Sequence, residues 1–424
     1  MAIHVVKNGD TLWAISQVYN VPVSTIVAIN GLSNVNVIVP GLALYIPSRE
    51  LQQRTYRIQP GDTLWKLSIR FNSTIASILQ ANPDLNPNRL LVGRLVTIPT
   101  ELKQDIATLG FIVPYSQEAV IQILDSLAPQ LTYLAVTAYS FTREGYAYVQ
   151  LEDRRIVERS NQLGVLPLLM IRNLIDSTFS PELAGTVLGN PSYRRNLVLS
   201  IVNLARQRGY KGVSIDFEFI PPERRNDFAT FLSELKTALG NLLLHVNVHA
   251  KTRDIPANPI IGAYDYQMIG KIADIVAVMT IDYGYPGGPP DPISPAWWIE
   301  QVVSYAVSLI PPQKLQIAMP LYGYDKVAAT NQTTGTSVLA AQNLAISKGV
   351  AIQYAPESES PFYRYWTNNA EHAVWFEDVR SYKAKYKIID THRLLGTTYW
   401  QLNLPAPQNW RYLADNLIIK KAVI

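Results

Sequence analysis

Cysteine is absent from the 424 residues, which excludes a disulfide framework, thiolate zinc sites and a cysteine nucleophile together. No apolar run approaches the roughly 18 residues that a membrane-spanning helix needs. The opening Met-Ala-Ile-His-Val-Val-Lys-Asn-Gly-Asp carries no basic segment followed by an apolar stretch, so neither a membrane span nor a cleavable secretory signal is expected. Histidines number five, and none share metal-ligand spacing on a helix, although His245 and His249 lie on one side of a predicted strand. No metal and no cofactor is expected. Phosphate-binding glycine loops and the G-x-S-x-G elbow are missing, which removes nucleotide and serine-esterase chemistry. Dense Lys/Arg patches are missing too, which argues against nucleic acid as a partner.

What is present is a large apolar fraction, 48%, against 17% charged residues, the composition of a folded chain with an ample core. At about 150 residues per domain the length suggests two or three units. The net charge of +4 is uneven. Residues 1–100 hold eight Lys or Arg against four Asp or Glu, and the remainder holds 29 of each. Any weak attraction to an anionic polymer therefore belongs to the first hundred residues.

Those residues are a duplication. Gly9-Asp10-Thr11-Leu12-Trp13 recurs as Gly61-Asp62-Thr63-Leu64-Trp65, and the match continues without a gap through Asn30 and Asn82, Gly41 and Gly93, and Ile46-Pro47 and Ile98-Pro99. Each copy reads as a strand, a Gly-Asp turn, a helix capped by Thr11 or Thr63, a second helix capped by Ser24 or Thr74, and a closing strand. These residues resemble the LysM family over nearly all of positions 3–100. The resemblance implies a shallow groove for N-acetylglucosamine glycans such as peptidoglycan or chitin. It would be lined by Gly9, Asp10, Thr11 and 36–40 in the first copy, and by Gly61, Asp62, Thr63 and 88–92 in the second. The same Gly, Asp and Thr also suffice to build the turn and cap alone. Two sites on one chain would raise effective affinity for a repeating polymer.

From about Ala107 short apolar strands alternate with longer amphipathic stretches. Strands are predicted at 109–113, 133–138, 164–171, 212–218, 243–249, 275–281, 315–320 and 396–400. Eight of them in sequence imply an α/β fold, a (β/α)8 TIM barrel with its chemistry at the C-terminal strand ends. The expected division is 1–50 and 51–101 for the two small β-α-α-β units and 102–424 for the barrel.

The fourth predicted strand carries Gly212-Val213-Ser214-Ile215-Asp216-Phe217-Glu218. Residues two apart share a face, so Ser214, Asp216 and Glu218 face inward together. Two carboxyls in one interior favour a protonated one near neutral pH, as a general acid requires. This stretch resembles the D-x-x-D-x-D-x-E signature of glycoside hydrolase family 18, with Lys211 and Ser214 in place of the first two acids. The resemblance implies Glu218 as acid/base and Asp216 as the residue orienting a substrate 2-acetamido group, whose carbonyl oxygen attacks the anomeric carbon with retention. Ser214 can hydrogen-bond Asp216. Met279-Thr280-Ile281-Asp282 is similar to the family's M-x-Y-D, which brings in Met279 and Asp282, with Ile281 replacing a Tyr whose hydroxyl Tyr283 or Tyr285 would have to supply. Trp400 matches an aromatic floor for a sugar ring, while Phe111 reads as packing. Glu377 and Asp378 open a predicted helix, for which dipole stabilisation is a sufficient account.

Residues 320–325, 375–380 and 399–402 further resemble spore-associated peptidoglycan glycosidases that join LysM modules to such a barrel. That branch implies a protein made in the mother cell without a signal peptide, deposited in the spore coat or cortex, and acting on N-acetylglucosamine linkages of cortex peptidoglycan; a monomer is expected, though no residue pattern fixes the oligomeric state. Two alternatives use the same residues: a non-catalytic wall-binding protein, motivated by the changes at 211, 214 and 281, and a chitinase.

Overall fold

The computed structural model describes residues 2–47 and 51–421. The first copy runs strand Ala2–Val5, helices Leu12–Tyr19 and Val23–Asn30, and strand Ala43–Ile46. The second runs Gln52–Arg57, Leu64–Arg70, Ile75–Ala81 and Leu95–Thr100. In both, the two strands pair antiparallel. Thr11 and Thr63 cap the first helices, accepting the N–H of Ala14 and of Lys66 at 3.1 Å. The recurring Asn is the weld. Asn30 donates to the carbonyls of Ile26 and Tyr45 and accepts the Tyr45 N–H, and Asn82 makes the same three bonds to Ile78 and Thr97. A buried amide satisfied in this way fixes the last strand on the second helix. Thr74 caps its helix as expected, but Ser24 does not. Pro22 stands where the second copy has Thr74, and its fixed φ starts the helix there, leaving Ser24 inside the first turn.

Eight parallel strands then close into a barrel: Gln104–Ile112, Tyr133–Phe141, Leu166–Arg172, Gly212–Asp216, Leu243–His249, Ile275–Met279, Leu315–Pro320 and Gly396–Trp400, the last pairing with the first. The fourth and sixth stop short of the predicted Glu218 and Ile281, and soon afterwards the backbone turns left-handed at Phe219 (φ 53°) and Asp282 (φ 58°). Alternation sorts the fourth strand as the pattern requires. Val213 and Ile215 belong to the core between barrel and helices, where Phe217 also packs, its ring 5.0 Å from Phe141 and 5.5 Å from Phe231.

Between the seventh and eighth barrel strands lies an antiparallel sheet that the sequence reading did not anticipate, built from Tyr322–Val327, Thr333–Ser337, Gln353–Ala355, Ser360–Thr367 and Ala370–Trp375, with helix Val338–Lys348 against it. The helix that follows, Val379–His392, is capped by Asp378 with Ser381 reciprocating. Glu377 does something other than face a helix dipole. It is buried, 2.6 Å from the equally buried Lys385, and burial raises its carboxyl pKa despite that partner.

The first module is continuous with this insertion: Val6, Leu12, Ile26, Val39 and Leu44 share one apolar cluster with Ala341, Ile346, Ile352 and Tyr363. Gln342 and Gln408 reach Asn30, and Tyr45 donates to Asp415. The second module keeps its own core and attaches mainly through polar contacts, notably the two-pronged Arg54–Asp390 pair at 2.7 and 2.8 Å.

Equivalent glycines expose this difference. Gly41 and Gly93 have φ of 80° and 86°, yet a Cβ on Gly41 would sit 1.7 Å from the Ile352 carbonyl oxygen, whereas one on Gly93 meets nothing within 4 Å. Gly93→Ala should therefore cost about 1–2 kcal/mol of backbone strain, and Gly41→Ala at least about 3 kcal/mol once the clash is added. Urea unfolding of the two variants checks the ordering.

Candidate active site

A cleft of about 670 Å³ opens at the C-terminal ends of the barrel strands, and Asp216, Glu218, Met279, Asp282 and Trp400 all line it. Asp216 ends the fourth strand, in register with Arg172 on the third. Burial pushes its pKa up to about 6, opposed by the Arg172 charge and by a hydrogen bond from Asn247. Glu218 follows the strand and is fixed by its backbone. Asn173 accepts the Glu218 N–H and donates to its carbonyl, both at 2.9 Å, while the Tyr264 hydroxyl holds the Phe217 carbonyl at 2.7 Å. Burial raises the Glu218 pKa well above the usual carboxylate range, with the neighbouring Asp216 and Asp282 charges adding to it and Arg172 opposing. Two neighbouring carboxyls in a low-dielectric mouth with one guanidinium between them favour a state with one proton held and one acid ionised.

The imidazoles beside them are neutral. Burial lowers His249 to about 4 and His245 to about 3. His249 Nε2 lies 3.4 Å from Glu218 and forms no hydrogen bond. Ser214 is fully buried and pairs with His245 Nδ1 at 2.9 Å. The expected Ser214–Asp216 bond is not formed: the Ser214 hydroxyl is engaged by His245 and lies 3.5 Å from the Asn247 amide nitrogen, and Ser214 does not line the cleft.

Asp282 accepts the hydroxyls of Tyr322 at 2.6 Å and Tyr324 at 2.8 Å, and burial raises its pKa against both bonds. These tyrosines come from the insertion, which also holds the cleft rim: Lys326 donates to the carbonyls of Tyr285, Gly288 and Pro289. Ile281 and Tyr285 line the cleft, but Tyr283 does not. Its ring is packed between Trp297 and Trp298, at 5.2 and 5.4 Å. Trp400 lies against Phe111 with ring centroids 5.5 Å apart, and Phe111 lines the cleft as well as packing.

Arg172, Asn173, Asn247, His249, Tyr322 and Tyr324 were not picked out as site residues from the sequence. The tyrosines left a trace, since two aromatics spaced by two share a face in extended chain, but they fall beyond the predicted seventh strand, 315–320. Arg172 falls one residue beyond the predicted third strand.

In the modules, Gly9 and Gly61 adopt φ of 87° and 80°. Asp10 accepts the Lys7 N–H at 2.8 Å and Asp62 the Gln59 N–H at 2.7 Å. With Thr11 and Thr63 as caps, the turn engages all six. Among the described residues no three His, Asp or Glu side chains gather as a metal site would require.

Barrel, cleft and acids together define a glycoside hydrolase. The chain belongs to the glycosyl hydrolases of family 18, matched over residues 182–404, and carries two LysM domains, matched over 4–47 and 56–99. It is 36% identical over 410 residues to the Bacillus subtilis (strain 168) protein named "Putative sporulation-specific glycosylase YdhD", covering 95% of this chain and 96% of that one. It is 31% identical over 425 residues to the cortical fragment-lytic enzyme of Bacillus anthracis, covering 98% of each. The crystal structure of the Bacillus cereus spore cortex-lytic enzyme SleL superposes with a TM-score of 0.86 at 31% identity, covering 99% of this chain and 98% of that one.

The acid arrangement predicts a bell-shaped pH dependence of kcat/KM. Its acid limb lies near 6, where Asp216 takes up a proton, and its alkaline limb is set by loss of the Glu218 proton. Because Arg172 lowers both pKa values, Arg172→Met should move both limbs to higher pH. Rates measured across pH 4–10 for the two proteins test this.

Proposed function

We propose that the chain is a retaining β-N-acetylglucosaminidase that cleaves β-1,4 linkages of spore cortex peptidoglycan or its fragments. The observation that carries the reading is Glu218, half-buried at the cleft wall close to Asp216 and Asp282, where desolvation and those charges raise its pKa well above the usual carboxylate range. Glu218 gives its proton to the glycosidic oxygen. Asp216, ionised and steadied by Asn247, orients the acetamido N–H so that the acetamido oxygen closes on the anomeric carbon, and the cationic ring that forms is stabilised by the Asp216 charge. Glu218, now a carboxylate, takes a proton from the water that opens the ring. Asp282, fixed by Tyr322 and Tyr324, adds to the pKa offset between the two acids. Trp400 is the stacking floor, with Met279 beside it.

The substrate assignment is supported by full-length likeness to enzymes named for cortex and cortical fragments, and by two LysM modules suited to N-acetylglucosamine polymers. The same likeness supports a location in the spore. In this reading 1–50 and 51–101 are wall-binding units, 102–424 is the catalytic unit, and the chain works as a monomer.

Glu218→Gln should lose roughly 10²–10⁴ in rate, the share of a general acid. The test incubates both proteins with cortex fragments and with chitin oligomers and reads new reducing ends by mass spectrometry. N-acetylglucosamine ends made from cortex fragments by the wild type alone support the reading. Turnover of chitin only would make it a chitinase, and no turnover a wall-bound lectin.

The same substitution has a stability signature. A carboxyl whose folded pKa is raised stabilises the fold while protonated and loses that contribution as pH climbs through the folded value. Glu218→Gln should therefore be more stable than the wild type at pH 8, with the gap closing toward pH 4.5. Urea midpoints at the two pH values read it directly.

A further inference from the structure

The two modules match in sequence but not in surroundings. One bank of the implied groove, residues 36–40 in the first copy and 88–92 in the second, is treated differently by the rest of the chain. Val39 is 3% exposed, whereas its counterpart Leu91 is 53% exposed and the next residue, Val92, 62%. Val39 is sealed into the apolar cluster shared with Ile352. The backbone is occupied as well. The Pro40 carbonyl accepts the Ile352 N–H at 2.9 Å, and the Gly41 carbonyl accepts Arg380 at 3.2 Å. In the second copy the Gly93 carbonyl is held within the module by Arg57, and no group of the barrel or insertion takes a Val92 backbone bond among the described residues. The opposite bank is open in both copies, with Gly9 and Thr11 exposed in the first and Gly61 and Thr63 in the second. The first groove thus keeps one bank, retains exposed Asn36 and Val37 on the other, and loses the Val39 side chain and the Pro40 carbonyl to the insertion.

We infer that the second module holds the N-acetylglucosamine polymer and that the first is a brace, its groove wall spent on carrying the insertion that positions Tyr322, Tyr324 and Lys326 at the cleft. This rests on the reading of the modules as glycan-binding. A shallow groove binds through loop backbone and apolar edges, and in the first copy the Val39 side chain and the Pro40 and Gly41 carbonyls are engaged before any glycan arrives. The duplication then supplies one anchoring site plus one structural support, without the avidity of two equal sites.

The test uses the full chain carrying Glu218→Gln, so that ligand is not consumed, with N-acetylglucosamine hexamer as the probe and hydrogen exchange as the readout. Slower exchange over 61–66 and 88–93, with none over 9–14 and 36–41, is expected. Adding Leu91→Asp and Val92→Asp, both on the surface, should reduce retention on insoluble chitin at least fivefold. Equal slowing in both copies, slowing confined to the first, or undiminished retention of the double variant would overturn the inference while leaving glycan binding intact. Slowing in neither copy would overturn the glycan-binding reading of the modules itself.

Discussion

Everything at the cleft depends on one electrostatic constraint: Asp216 is buried and Glu218 half-buried in one mouth, Asp282 lines its more open side, and Arg172 is the cation set against the first two. Removing carboxylates from water costs several kcal/mol each unless they are paired or protonated. One guanidinium with its own desolvation penalty cannot neutralise both neighbours. The arrangement therefore separates two chemically similar groups, raising Glu218 well above the carboxylate range while Asp216 rises to about 6. The neutral histidines reinforce the separation, because a protonated His249 beside Glu218 would pull its pKa back down. The site holds charge in a state that the fold disfavours, and the rest of the molecule supplies the rigidity that keeps it there.

That rigidity has an identifiable route. The insertion between the seventh and eighth strands fastens the cleft rim through Lys326 and the Trp375 indole, which donates to the Pro290 carbonyl, and it sets two tyrosine hydroxyls on Asp282. On its other side it buries the first module's apolar residues. The first module and the cleft thus meet through one small sheet, and Ile352 approaches Pro40 and Gly41 so closely that no side chain fits at position 41. The second module, held by Arg54 and Asp390 with a core of its own, stands outside it.

Much of this was legible in the sequence where local rules dominate. The repeat, the threonine caps and all eight barrel strands follow from turn chemistry and from hydrophobic alternation, which short-range sterics and burial enforce. The grouping of Asp216 with Glu218 follows from the two-residue period of a strand. Where such rules were pressed further, tertiary contacts prevailed. Tyr283 was drawn out of the cleft by two tryptophans, Ser214 was taken by His245, and Glu377 found Lys385 eight residues on, inside the core.

The sequence by itself determined the modules, the barrel and the two acids on one strand, because each is a pattern between residues near in the chain whose energetics are settled by neighbours. Only the tertiary structure decided which cation faces those acids, which tyrosines hold Asp282, and which of the matching residues Val39 and Leu91 is buried. Those outcomes depend on residues brought together from strands and loops far apart in the chain, and no periodicity in the sequence encodes such distances.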